Sequence, residues 1–212
     1  MKNILQSIFL YIFALTVTSF ASCESDDDVT KVPPADSYVE QTKALLNGDI
    51  VLSTRATMNG VDKTLLPSGC PTKFNFSWKE DDKMVVDLTD FHVGSMPFKI
   101  SFRCASKIMK LNSWEKDEYP GDGWVKFFGK DGIVSSHGDE PSDNQEGSGA
   151  SVQGYVNFLT NQIEFIINYN MMNVRTETFL QKIDKTRIDH FEEEFAQYEA
   201  DLKKWKEDHG LN

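Results

Sequence analysis

The sequence predicts a mainly β domain: an antiparallel up-and-down barrel or sandwich of about eight strands, with a short N-terminal helix and a long C-terminal amphipathic helix. Three observations carry that reading. Between residues 49 and 183 apolar side chains recur at every second position, as in Phe74, Phe76 and Trp78 or in Phe98, Ile100, Phe102 and Cys104, which is the period of a half-buried strand. Turn chemistry separates the runs, with Asn59-Gly60, Pro67-Ser68-Gly69, Glu80-Asp81-Asp82, Pro120-Gly121-Asp122-Gly123 and Thr160-Asn161 each supplying residues that bend a chain. Beyond residue 186 the spacing changes to three and four through Ile188, Phe191, Phe195, Tyr198, Leu202 and Trp205, one face of a helix.

The elements follow in order. Residues 1–22 have the make-up of an export leader: Lys2 is the positive end, Ile8 to Val17 is the apolar core, and the small Ala21 and Ser22 precede Cys23,. Thr16, Thr18 and Ser19 dilute the uncharged stretch, which falls short of the roughly 20 apolar residues that span a bilayer. A lipoprotein signal, an ordinary cleaved signal and a retained anchor are the three readings open to it. Residues 23–36 carry Asp26, Asp27 and Asp28 and end near Pro33-Pro34, a composition that reads as a flexible acidic tether. The rest, residues 37–212, reads as a single β-rich domain.

That domain opens with a helix from Ser37 to Leu46, stopped by Asn47-Gly48,. Strands are expected at Ile50 to Met58, around Phe74 to Trp78, at Lys83 to Thr89, Phe98 to Cys104, Lys107 to Leu111, Gly123 to Phe128, Ser151 to Leu159, Gln162 to Asn168 and Arg175 to Gln181,. The terminal helix is expected over 186–209, with Thr186 and Asp189 as a capping box,. Its apolar stripe either covers the β-domain or lends Leu202 and Trp205 to a partner helix or a second copy.

The formal net charge is −11, and loss of Lys2 with the leader would make it more acidic. No cluster of Lys and Arg stands out, so nucleic acid is not an expected partner. Setting Cys23 aside leaves Cys70 and Cys104 as an even pair; in an exported chain they form either a disulfide or two buried thiols.

Ser19-Phe20-Ala21-Ser22-Cys23 followed by Glu24-Ser25-Asp26-Asp27-Asp28 resembles the signal of surface-exported Bacteroidetes lipoproteins, although Phe20 stands where Leu is usual. The resemblance implies a diacylglycerol thioether on Cys23, loss of residues 1–22, and a membrane partnership through the lipid, at the outer membrane or cell surface or facing the periplasm. The strands with one terminal helix, and stretches such as Asp90 to Phe98 and Leu111 to Tyr119, resemble families of such lipoproteins described as domains of unknown function with a calycin-like (lipocalin-like) barrel. That likeness implies a fold and supplies no site residues.

Catalytic patterns are near misses. There is neither a Gly-x-Ser-x-Gly elbow nor a His-Glu-x-x-His helix, and Gly123 to Lys130 departs from a phosphate loop in its spacing and in Asp131 after Lys130,. His92, His137, His190 and His209 have no metal spacing, so no metal or cofactor is expected. Two features suit ligands. Trp114, Tyr119 and Trp124 flank a Gly and Pro turn, where aromatic faces stack on sugars or pack the barrel rim; Asp139, Glu140, Asp143 and Glu146 lie in a Ser/Gly-rich loop with oxygen donors of the kind calcium takes. The expectation is a lipid-anchored, non-catalytic binding or interaction module for a glycan or protein. The alternatives are a lipocalin-like carrier of a small apolar ligand and a secreted glycan hydrolase.

Overall fold

The computed structural model describes residues 37–136 and 147–211. The expected leader, Cys23, the expected tether, His137 and the loop carboxylates Asp139, Glu140, Asp143 and Glu146 lie outside the described residues. Among the described residues there are nine strands: β1 (Gly48–Met58), β2 (Val61–Asp62), β3 (Cys70–Glu80), β4 (Lys83–Phe91), β5 (Ile100–Lys110), β6 (Trp124–Ser135), β7 (Ala150–Asn157), β8 (Gln162–Asn168) and β9 (Val174–Lys182). All pairings are antiparallel; β1 and β3 to β9 run in sequence order and β9 pairs back onto β1, closing an eight-stranded barrel. Strand β2 stands outside this ring as the return of a hairpin with β1. The helices are α1 (Ser37–Leu45), α2 (Ser113–Glu118) and α3 (Phe191–Asp208), the last preceded by a 3-10 turn over Lys185–His190.

Alternation fills the interior. Phe74, Phe76, Phe102, Phe127 and Phe165 all point inward and are at most 2 % exposed, with Phe165 set edge-on to Phe74 at 5.0 Å and to Phe127 at 5.7 Å between ring centres. Gly154 shows how closely they fit, because a Cβ on this inward position of β7 would lie 2.3 Å from Phe165 and 2.4 Å from Phe127. The space a side chain would take is held by the Cβ of Phe165 and the ring of Phe127. Polar groups turned inward are bonded: Ser106 donates to the Met84 carbonyl at 3.0 Å and the Tyr169 hydroxyl meets Thr176 at 2.9 Å. That satisfaction keeps their burial from costing the ~1–3 kcal/mol of an unpaired group.

The expected strands Phe98 to Cys104 and Lys107 to Leu111 are one continuous β5, since Ala105 and Ser106 interrupt the apolar pattern without interrupting the ladder. Helix α1 ends as expected before Gly48, whose φ of +82° suits glycine. Trp78 Nε1 donates to the Leu46 carbonyl at 2.6 Å, tying α1 to β3. At the other helical segment Asp184, not Thr186, is the cap: its carboxylate accepts from the Thr186 backbone N–H at 2.9 Å and starts the 3-10 turn.

Helix α3 packs on the outside of β3. The Tyr198 hydroxyl donates to the Thr64 carbonyl at 3.1 Å and Lys206 Nζ to the Gly94 carbonyl at 3.3 Å. Leu202, offered by the sequence to a partner helix, is only 8 % exposed and belongs to the core of its own molecule. Trp205 is half-buried and stacks on His209 at 4.0 Å. The stripe is therefore used internally, because its spacing matches the barrel wall beneath it.

Of the two alternatives for Cys70 and Cys104, a disulfide or two buried thiols, the structure has the second: both are free and buried. Register explains it. Cys104 lies opposite Val86, which lies opposite Phe76, so Cys70 is two strands away and six residues off the row. At ~3.3 Å per residue that offset is about 20 Å, far beyond the ~7 Å limit between the Cα atoms of a disulfide. Burial pushes both thiols up to about 12, which keeps them protonated and unreactive.

Candidate functional site

The site builds from α2 outward. Asn112 caps α2 in a reciprocal box with Glu115, the Glu115 backbone N–H donating to Asn112 Oδ1 at 3.0 Å and the Asn112 N–H to Glu115 Oε2 at 2.8 Å,. The other oxygen of Glu115, a residue 1 % exposed, accepts hydrogen bonds from Lys126 Nζ at 2.7 Å and from the Tyr155 hydroxyl at 3.3 Å. Burial alone would raise this carboxyl; Lys126, the Asn112 backbone and Tyr155 together outweigh it and hold the group below the usual range. Helix α2 is thereby bolted to the outer wall of β6 and β7.

The turn after α2 then lays Tyr119 on that wall. Its ring stacks on Tyr155 at 4.0 Å and 21° and meets Trp124 at 5.0 Å, while its hydroxyl donates to Glu164 Oε1. Burial, then the adjacent carboxylate, pushes the Tyr119 phenol up, so it stays a hydrogen-bond donor. Of the three aromatic residues singled out in the sequence, the structure joins Tyr119 and Trp124 and adds Tyr155. Trp114 stands apart at 59 % exposure. One face of the Tyr119 ring is taken by Tyr155, and Trp124 packs against it at a tilt of 54°.

Beside this wall lies an open cleft of about 550 Å³ across β6 to β9. Register sets its floor. Phe128 pairs with Gln153, Gln153 with Ile166, and Ile166 with Glu177, so four outward side chains lie in one row about 14 Å long at ~4.8 Å per strand. Tyr155 and Glu164 form the row on one side, and Ser151, Asn168 and Arg175 the row on the other. Phe128 is 40 % exposed, Ile166 38 % and Leu180 52 %. Glu177 is held by Arg55 Nη2 at 2.6 Å with Arg175 at 3.9 Å, and Gln153 Nε2 reaches the Tyr155 hydroxyl at 3.3 Å. The polar ends are fixed by neighbours while their remaining lone pairs and N–H groups face the cleft.

Two further hollows flank α3. One, of about 640 Å³, is bounded by α3 and the outside of β3 and β4, where Arg103 meets Asp87 at 2.5 Å, Lys99 meets Asp90 at 3.6 Å, and Lys73 Nζ sits 5.3 Å over the Phe191 ring. The other, of about 450 Å³, runs by His92 and Lys206. His92 is bonded to the Met96 carbonyl at 2.9 Å. Among the described residues no group of three or more His, Cys, Asp or Glu is placed to hold a metal ion, and no helix is long and apolar enough to cross a membrane.

Sequence reasoning missed Phe128, Gln153, Tyr155, Glu164, Ile166, Arg175 and Glu177, which come from four strands. The one local signal was Ile166, an apolar residue on the outward phase of Gln162, Glu164 and Asn168. Residues 23–210 match a family model described as a domain of unknown function. No curated protein and no solved structure matches the chain.

Proposed function

The chain belongs to that family, DUF4903, and we propose that it is a lipid-anchored, non-catalytic binding module of the bacterial envelope that takes its ligand on the outer wall of the barrel. One observation carries the choice of wall: the interior is occupied by packed rings. A carrier of the lipocalin kind needs an internal cavity of ~300 Å³ or more, and Gly154 marks the absence of spare room where such a ligand would sit. Against a hydrolase, the cleft carboxylates have structural partners, Glu164 in Tyr119 and Glu177 in Arg55.

The anchor reading is supported by Lys2, the apolar Ile8 to Val17 and the small residues before Cys23. The family match itself starts at Cys23, where a lipidated mature chain would begin. A resemblance to Bacteroidetes surface lipoproteins points to the outer membrane. With one acyl chain binding would be reversible, and two or more hold firmly. Metabolic labelling with an alkyne fatty acid tests this: the full-length chain should take up label and sediment with membranes, and Cys23→Ala should lose both. An unlabelled wild-type chain in the soluble fraction would remove the anchor from the proposal.

A further inference from the structure

We infer that the outer-wall cleft binds an uncharged saccharide, with Phe128 as the surface under a sugar ring and Gln153, Glu164 and Arg175 holding its hydroxyls. The inference rests on the binding-module reading and names the ligand that module takes. Phe128 and Ile166 flank Gln153 in a single row, both outward and more than a third exposed. A sugar ring has an apolar C–H face that suits such a surface and an equatorial belt of hydroxyls that needs the opposite.

The belt is supplied by flat groups. Carboxylate, amide and guanidinium ends each present two adjacent hydrogen-bonding atoms, the spacing of neighbouring hydroxyls. Here they are pre-positioned: Glu164 by the Tyr119 hydroxyl, Gln153 by Tyr155, and Arg175 beside Glu177. Fixing them in advance lowers the ordering cost of binding.

Other chemistries fit less well. A wholly apolar ligand would strip water from Glu164 and Glu177. An acidic one would meet those carboxylates on a chain of net charge −11,. Of the charges lining the cleft, Glu177 is neutralised from outside it by Arg55, and Arg175 balances Glu164, which favours no net charge. An extended peptide cannot add as a strand, because each of β6 to β9 is already paired on both sides,. The volume, about 550 Å³, falls among small-ligand sites of ~300–1,000 Å³.

The test uses the full-length chain in a zwitterionic detergent without a sugar headgroup, applied to an array of neutral and acidic glycans and then titrated calorimetrically with the best neutral one. At least one neutral glycan should bind. Phe128→Ala and Gln153→Ala should each weaken it about tenfold or more, with thermal midpoints close to wild type, and Val61→Ala, on the β1–β2 hairpin outside the cleft, should leave it unchanged. Binding to acidic glycans alone, binding that survives both cleft substitutions, or no glycan binding at all overturns the inference. So does a sedimenting dimer that Phe128→Ala and Ile166→Ala dissolve, which gives the face to a second copy. Acylation of Cys23 is read separately, so the anchor stands or falls by its own assay.

Discussion

Two walls of one barrel follow the same backbone rule and have opposite surfaces. On the wall under the 3-10 turn and α3, the outward Val51 is 1 % exposed and Pro71 is buried. Arg187 reinforces the cover, bridging Glu194 at 2.5 Å and the Val51 carbonyl at 3.3 Å. On the wall of β6 to β9, Phe128 and Ile166 occupy equivalent outward phases and remain more than a third exposed. A strict apolar and polar alternation therefore reports a face left to water. Its loss in Ile50-Val51-Leu52 reports a helix overhead, and its loss at Ile166 without a cover reports a surface kept for something else.

The largest test of that contrast is on the covered wall. Tyr198→Ala removes a buried ring and its bond to Thr64, and should cost about 3–5 kcal/mol in a urea melt, with α3 losing its amide protection first. Lys126→Ala strikes the patch of the other wall that α2 covers, leaving Glu115 buried without its cation. Breaking a buried pair costs ~3–5 kcal/mol, and the partial exposure of Lys126, 21 %, should bring this to about 2.

The same pair fixes the acid response. Glu115 has a folded-state value below its usual one, so its stabilisation is present above about pH 4.5 and is lost as the pH falls through the folded value. In Lys126→Ala burial dominates instead and protonation relieves the carboxylate. The gap in melting temperature between the two proteins should thus narrow from pH 7 to pH 4; a gap that widens would remove Glu115 as its source. The smallest effect belongs to Phe128→Ala, which should change stability by about 0.5 kcal/mol or less, an order of magnitude below Tyr198→Ala for a similar ring.

Most of the barrel was legible because its signal is local: Phe74, Phe76 and Trp78 declare a strand without reference to anything distant. The cleft was not, because it exists only in register. Gln153 and Ile166 are adjacent through a ladder bond, and nothing near either residue in sequence names the other. Tyr155 was hidden similarly, since its burial depends on Tyr119 arriving from the far side of β6. The choice between a disulfide and two buried thiols is the same lesson in reverse. Even numbers of cysteines suggest pairing, whereas placement on β3 and β5 with β4 between them forbids it. Helix α3 was easy to find and harder to assign, because an amphipathic stripe looks the same whether it faces its own wall or another molecule.

Closure of the ring by β1 and β9 also constrains when this protein can exist. Gln181 exchanges hydrogen bonds with Ser53 across 128 residues, so the seam cannot form until β9 has been made. Contacts that distant slow folding. A chain emerging from the ribosome would remain an open sheet with two unsatisfied edges until β9 arrived, a state vulnerable to sticking to its neighbours.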